Sequence, residues 1–171
     1  KDLIVFHIIR NQITTLIFNK KCNTRLVRCR SDQRKTTDFV AGLSVFSEGG
    51  NNMKVLIAYA SKTGTTEKCA RILKALVDNA ELCDLTKEKP DLSQYNAIIV
   101  GGSIRMGNLH KAAKHFMIKH KETLLNKKCA YYICNCATHQ AKSLLKKNIT
   151  EDLLKKSVVS SSIGGEINME D

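Results

Sequence analysis

The chain has 171 residues, 43% of them hydrophobic and 26% charged, with one proline and nine glycines. This composition excludes a disordered, collagen-like or low-complexity protein, and the length allows one domain with a hydrophobic core. The formal net charge of +12 favours anionic partners, and seven cysteines without a signal peptide ahead of them argue for a reducing cytoplasm rather than a disulfide framework.

The first third of the chain differs from the rest. Residues 1–52 contain a basic run at 25–35 and show no clear helix or strand period after Phe18, and the apolar run 3–18 is too interrupted for a membrane span. Residues 48–52 can be encoded by GAA-GGA-GGU-AAU-AAU, which resembles a ribosome-binding sequence ahead of a start codon at Met53. We therefore predict that residues 1–52 are a basic segment outside the domain, translated from upstream DNA or left by a fusion. A genuine basic extension is the alternative.

From Met53 onwards, short apolar runs alternate with helical patterns. Strands are predicted at 54–60, 80–85, 97–103, 129–136 and 157–163. Helices are predicted at 67–79, 110–125 and 140–155, the last with an interruption near 148–150. This alternation predicts an α/β fold with a parallel sheet over residues 53–171.

A parallel sheet needs helices on both faces, because its apolar strands must be kept from water on both sides. The pattern shows no helix after the fifth predicted strand, so the C-terminal helix of the fold is expected to be missing from this chain. We predict that the natural protein continues past Asp171, or that the domain is less stable than a complete one.

A hydroxyl-rich segment follows the first predicted strand at the start of a helix. It contains Ser61, Thr63, Thr65 and Thr66 around Gly64. Ligands of open α/β sheets bind at the carboxyl ends of strands, where helix N–H groups and the helix dipole favour anions. The segment is neither a Walker loop nor a GxGxxG turn. An ordinary helix cap is the alternative, but four hydroxyls and a glycine favour a phosphate site.

This segment resembles the S/T-x-T-G-x-T phosphate loop of the flavodoxin family. Within that family, the run IVGGSIRMG at 99–107, followed by His110, Phe116 and Lys119-His120, resembles the flavodoxin-like, menaquinone-dependent protoporphyrinogen IX dehydrogenases. The resemblance covers residues 53–136 well and 157–165 loosely. It implies a doubly wound, five-stranded sheet in the order 2-1-3-4-5 and FMN as the cofactor.

The resemblance also implies three segments around FMN. The phosphate segment is Ser61, Lys62, Thr63, Gly64, Thr65 and Thr66, with Lys62 contributing only its N–H group. The segment beside the isoalloxazine is Ser103, Ile104, Arg105, Met106, Gly107 and Asn108. The segment on the other side of the ring is Asn135, Cys136, Ala137 and Thr138. Gly107 would permit the peptide to approach flavin N5, and no metal site is expected.

The favoured function is an FMN-dependent oxidoreductase that oxidises protoporphyrinogen IX and passes electrons to a quinone. Residues from Met53 onwards hold 19 Lys and Arg against 12 Asp and Glu, which suits a porphyrin with carboxylates or the inner face of an anionic membrane. Arg105 is the candidate substrate contact, and a surface arginine is its alternative role. The alternative function is a flavodoxin-type electron-transfer protein with no substrate site of its own. Nucleic acid is not expected as a partner, because aromatic residues for base stacking are lacking.

Two cysteines, Cys134 and Cys136, are two residues apart on a predicted strand. They would face the same way with Cα atoms about 6.5 Å apart, near the limit for a disulfide. A redox pair or a metal site would need further ligands such as His139. Packing of the thiols in the core is the favoured interpretation.

Overall fold

The computed structural model describes residues 26–29, 33–46, 53–135 and 140–168. Its strands are β1 (Leu26–Cys29), β2 (Val55–Ala60), β3 (Ala80–Asp84), β4 (Ala97–Arg105), β5 (Asn108–Leu109), β6 (Lys128–Cys134), β7 (Val159–Ser162) and β8 (Gly165–Asn168). Its helices are α1 (Gln33–Gly42), α2 (Thr65–Lys74), α3 (Lys111–Lys119), α4 (Lys121–Leu125), α5 (Ala141–Asn148) and α6 (Glu151–Lys156), with a 3-10 helix over Leu43–Phe46. None of the helices in these ranges is long and apolar enough to cross a membrane.

Five parallel strands form the central sheet in the order β3-β2-β4-β6-β7. Counted from β2 along the chain, this is the order 2-1-3-4-5, so the predicted doubly wound sheet is confirmed. The direction of winding reverses between β2 and β4. Ligands of such sheets bind where the strand order reverses, a rule for which flavodoxins are themselves an example.

The strands are apolar on both sides because both faces of the sheet are covered. Every residue of β2 is buried, and so are the first six residues of β4. Successive side chains point to opposite faces: Leu56 packs on the side of α3 to α6, and Ile57 packs on the side of α1 and α2. The continuous apolar runs in the sequence therefore reflect two hydrophobic layers.

The predicted helices differ from the observed ones mainly at their ends. The predicted helix 67–79 is shorter in the structure and begins two residues earlier, and Asn79 has a positive φ of 51° just before β3. The predicted helix 110–125 is divided at His120 into α3 and α4. The predicted interruption near 148–150 is confirmed, because α5 ends at Asn148 and α6 begins at Glu151.

Helix α1 and the 3-10 helix lie on one face of the sheet beside β7. Phe39, Leu43 and Phe46 are buried there with the side chains of β2 and β6. Their spacing of four and three residues is that of a helix face. No helix is predicted for this segment, because the charged residues around Phe39 obscure the period, and the structure corrects it to a helix.

A further strand, β8, follows β7 in the chain. Strand β8 pairs antiparallel with β1, from Leu26 opposite Asn168 to Cys29 opposite Gly165. Helix α1 packs against β7, and a Cβ built on Gly42 would lie 2.8 Å from Val159 Cβ. The face beside β7 is therefore covered by α1, which precedes the sheet in the chain. That residues 1–52 are not part of the natural protein stays a prediction.

Candidate functional site

The predicted site segments follow three neighbouring strands of the parallel sheet. Ser61 follows β2, Ser103 lies near the end of β4, and Asn135 follows β6. Ala60 is opposite Gly102 in the register of β2 and β4, and Ser103 is opposite Cys134 in that of β4 and β6. The structure therefore brings the described parts of all three segments to one edge of the sheet, at the position where the winding reverses.

The segment between β2 and α2 is an open turn centred on Gly64. This residue is the N-cap of α2 and has a φ of 85°, a left-handed conformation that glycine adopts readily. Its N–H donates to Ser61 Oγ at 3.0 Å. A Cβ built on Gly64 would meet no heavy atom within 4 Å, so open space lies next to this backbone.

The hydroxyls of this turn do not cap α2. The N-cap is glycine, which has no side chain to accept a capping hydrogen bond, and the Ser61 hydroxyl accepts from the N–H of Gly64 itself rather than from the first turn of the helix, which disfavours the helix-cap alternative. The first N–H groups of a helix have no partner within it, and they carry the positive end of the helix dipole. Glu67 in the first turn is held by Arg71, with Nη2 and Oε1 2.7 Å apart, which offsets its negative charge. The start of α2 is therefore suited to an anion.

Thr66 is the residue of this turn whose side chain best fits a bound anion. Its side chain is fully buried, and its Oγ1 has no hydrogen-bond partner in the part of the chain that the structure describes. A buried hydroxyl without a partner costs about 1–3 kcal/mol and is uncommon in native proteins. An oxygen of a phosphate group would accept this hydrogen bond, so the residues present fit the phosphate of FMN.

Tyr132 on β6 supports the start of α2 from below. Its hydroxyl donates to the carbonyl of Thr66 at 3.2 Å. Burial raises the pKa of Tyr132 well above its usual value, so the hydroxyl keeps the proton that it donates. The ring crosses β4 at Gly101, where an added Cβ would lie 1.9 Å from Tyr132 Cζ. Sequence reasoning missed Tyr132, because only the register of β4 and β6 shows why Gly101 is needed.

Residues 103–108, the second predicted site segment, form a β-hairpin. Strand β5 pairs antiparallel with the end of β4, with Ile104 opposite Leu109 and Arg105 opposite Asn108. The two turn residues, Met106 and Gly107, have φ of 49° and 75°. Two positive φ values are the mark of a type I′ turn, which matches the twist of paired strands. This turn is hard to predict from the sequence, because Met-Gly is not one of the usual turn pairs.

Asn148, the last residue of α5, holds this hairpin from behind. Its Oδ1 accepts from the N–H of Leu109 at 2.8 Å, and its Nδ2 donates to the carbonyl of Gly107 at 3.1 Å. Nδ2 also donates to the carbonyl of Leu144 at 2.9 Å. One buried amide therefore fixes both sides of the turn. Sequence reasoning missed this residue, since nothing in the pattern links position 148 to position 107.

The tip of the hairpin is basic and carries one exposed apolar side chain. Met106 is 93% exposed. The exposed guanidinium of Arg105 makes no ion pair with any residue of the described ranges. The ammonium of Lys147 would lie 3.3 Å from a Cβ built on Gly107. The tip thus presents two cations and a thioether to an approaching molecule.

The third predicted segment is described only at its first residue. The N–H of Asn135 donates to the carbonyl of Gly164 at 3.0 Å, and its Oδ1 accepts from the hydroxyl of Ser162. Asn135 is therefore tied to the end of β7 and the turn that follows it. Cys136, Ala137 and Thr138 lie outside the described residues, and their role stays a prediction.

The fold and this edge of the sheet define a flavodoxin-like α/β protein. The sequence model of the flavodoxin domain family matches residues 56–171, which is more than half of the chain. The chain therefore belongs to the flavodoxin family, as the phosphate loop indicates. FMN is the cofactor of flavodoxin domains, so the family membership confirms the cofactor that the resemblance implies.

Individual relatives were found among curated proteins and solved structures. The protoporphyrinogen IX dehydrogenase [quinone] of Escherichia coli K12 is 32% identical over 88 residues, which are 48% of this chain and 49% of the relative. The matched part thus spans about half the length of the curated relatives.

Among solved structures, a flavoprotein in complex with FMN from Lactobacillus acidophilus NCFM is 17% identical with a TM-score of 0.45, covering 66% of this chain and 91% of that one. Oxidised flavodoxin 1 from Bacillus cereus is 20% identical with a TM-score of 0.41, covering 69% and 88%.

Proposed function

We propose that this flavoprotein is an FMN-dependent dehydrogenase that oxidises protoporphyrinogen IX and passes the electrons to a quinone. The FMN site is supported above all by the buried, unpartnered hydroxyl of Thr66. The substrate is supported by the partial identity with protoporphyrinogen IX dehydrogenase [quinone] and by the basic hairpin tip.

The phosphate of FMN would be held by the turn at the start of α2. The donors proposed for it are the hydroxyls of Ser61, Thr63, Thr65 and Thr66 and the backbone N–H groups of residues 62, 63, 65 and 66, because the N–H of Gly64 already donates to Ser61 Oγ. The left-handed Gly64 leaves open space beside this backbone, so a phosphate oxygen can approach without meeting a side chain. The helix dipole adds a favourable interaction with the negative charge.

The flavin ring would lie between the hairpin at 103–108 and the segment 135–138. When bound, FMN accepts two electrons from a reduced substrate and delivers them to an acceptor. The chain would orient the ring with backbone groups of the hairpin, whose position is fixed by Asn148. The exact backbone placement matters, because hydrogen bonds and charges near a flavin tune its electron affinity.

The hairpin tip would bind the substrate beside the ring. A porphyrinogen carries carboxylates on an apolar macrocycle, and the tip offers cations and an apolar side chain in the same place. Arg105 can bind a carboxylate with two parallel hydrogen bonds, and Lys147 adds a second positive charge nearby. Met106 would contact a pyrrole ring of the macrocycle, since a thioether interacts favourably with aromatic rings.

The first experiment is the visible absorption spectrum of the purified full chain after incubation with FMN, with the released cofactor identified by mass. We expect bound FMN, followed by oxidation of protoporphyrinogen when a water-soluble menaquinone analogue is the acceptor. A chain that binds FMN and exchanges electrons with other redox proteins, but leaves protoporphyrinogen unchanged, is a flavodoxin-type electron carrier. A chain that takes up no FMN contradicts the site itself.

Replacing Arg105 by glutamine is expected to raise the KM for protoporphyrinogen about fivefold, because an exposed ion pair contributes up to roughly 1 kcal/mol. The affinity for FMN should stay unchanged, because the side chain faces solvent. Steady-state kinetics at low and high salt measure the effect, which should shrink at high salt. Lys74→Gln, an exposed cation at the other end of α2, is the matched control. An equal KM for the Arg105 variant and the wild type would remove this residue from the substrate site.

A further inference from the structure

Two buried thiols lie next to each other beneath the proposed FMN site. Cys69 is in α2, and Cys134 is the last residue of β6; their sulfur atoms are 3.8 Å apart. The side chains are 5% and 4% exposed, and both are thiols rather than halves of a disulfide. The sequence spacing allows a redox pair of Cys134 with Cys136, but in the fold the thiol of Cys134 donates to the sulfur of Cys69.

We propose that Cys69 and Cys134 form a reversible disulfide when the protein is exposed to hydrogen peroxide. One sulfur attacks a peroxide oxygen, which gives a sulfenic acid and one water molecule. The second sulfur then attacks the sulfenic sulfur, so that the S–S bond forms and a second water molecule leaves. Overall, two thiols are oxidised by two electrons, and one peroxide is reduced to two water molecules.

The positions of the two sulfurs favour closure of this bond. A disulfide brings its sulfurs to about 2.05 Å, so the pair must approach by roughly 1.8 Å. Rotation about the two Cα–Cβ bonds and a small shift of α2 can supply this movement. Hydrogen peroxide is nearly as small as water, and local opening of the start of α2 would admit it.

Two further buried cysteines are not arranged in this way. Cys83 and Cys129 lie in the hydrophobic layer on the opposite face of the sheet. Burial raises the pKa of each thiol to about 11, which makes the reactive thiolate scarce. These two residues are therefore suitable controls for general oxidation of buried thiols.

The disulfide would join the two elements that lead into the FMN site. Helix α2 begins with the proposed phosphate loop, and β6 ends one residue before Asn135. The bond would close a loop between positions 65 residues apart, and cross-links of such loops stabilise proteins by restricting the unfolded chain. An effect on FMN release rests on the proposed function, whereas formation of the disulfide does not.

The test is a titration of the full chain with hydrogen peroxide, with and without FMN, followed by alkylation, digestion and mass spectrometry. We expect a loss of about 2 Da, one linked peptide pair containing Cys69 and Cys134, and reversal by dithiothreitol. The melting temperature should rise by about 5 to 10 °C. Cys69→Ala and Cys134→Ala should abolish both effects, and Cys83→Ala and Cys136→Ser should retain them.

Two results would overturn the proposal. One is a link between Cys134 and Cys136, or no link at peroxide concentrations that oxidise exposed methionines. The other is a linked pair that also forms in Cys69→Ala. Because the link is measured without FMN as well, a failure of FMN binding leaves this test intact. If the alanine variants fold poorly, the serine variants at the same positions and the rise in melting temperature of the wild type decide the question.

Discussion

Replacing Thr66 by valine is expected to weaken FMN binding by about 10- to 100-fold and to leave the protein without FMN as stable as the wild type or more stable. The loss follows from the proposed hydrogen bond to a charged phosphate, which is worth about 1.5–3 kcal/mol. The gain follows from the structure, because the Thr66 hydroxyl is buried without a partner in the described part of the chain. Valine has nearly the same shape and removes a polar group that is costly to bury.

The opposite signs of the two effects make this test specific. FMN affinity is measured by the quenching of flavin fluorescence, and stability by thermal unfolding of the protein without FMN. Thr123→Val, in α4 and away from the site, is the matched control and should leave the FMN affinity unchanged. A Thr66→Val protein with normal affinity would mean that the phosphate binds elsewhere. One that is strongly destabilised without FMN would mean that the hydroxyl has a structural role.

The parts of the fold that were predictable are those that depend on local patterns. A strand buried on both faces, such as β2, must be apolar along its whole length, and such an apolar run can be recognised from a single sequence. The hydroxyl-rich segment at the start of α2 is recognisable for the same reason, because the residues proposed to hold the phosphate are six consecutive ones. Fold class was therefore accessible from the residue pattern, and the resemblance to the flavodoxin family supplied the strand order and the cofactor.

The parts that were missed depend on contacts between distant positions. Tyr132 reaches the carbonyl of Thr66 across 66 positions, and Asn148 reaches Leu109 across 39. Neither residue has an unusual sequence neighbourhood, because their function is decided by which strands and helices become neighbours. The contact of Cys69 with Cys134 is of the same kind. Local spacing suggests only a pair of Cys134 with Cys136, for which packing in the core is the favoured interpretation.

Helix α1 shows how local charge can obscure a pattern that is present. Phe39, Leu43 and Phe46 have the spacing of a helix face, but the residues around them are charged or small. In the structure these three side chains pack together with Val159 and cover the sheet face beside β7. A short amphipathic helix obtains most of its stability from such packing, which the sequence alone does not display.

Replacing Asn148 by alanine is expected to destabilise the protein by roughly 2–4 kcal/mol and to weaken FMN binding. The substitution removes three hydrogen bonds and leaves the buried N–H of Leu109 without its acceptor, and each such buried group costs about 1–3 kcal/mol. The hairpin tip, no longer fixed through the Gly107 carbonyl, would sample other positions beside the flavin. Chemical denaturation measures the stability, and the midpoint potential of bound FMN reports on the hairpin.

The potential is the decisive quantity, because a purely structural role of Asn148 would lower stability and leave the potential of the remaining folded protein unchanged. Asn148→Asp keeps the acceptor for Leu109 but places a buried carboxylate oxygen against the carbonyls of Gly107 and Leu144, so its stability should fall at least as far as that of the alanine variant. Asn126→Ala, at the exposed end of α4, is the control and should change neither quantity. If the potential moves with Asn148→Ala and not with Asn126→Ala, the buried amide acts on the flavin through the backbone of the hairpin. An unchanged potential would restrict Asn148 to holding the fold together.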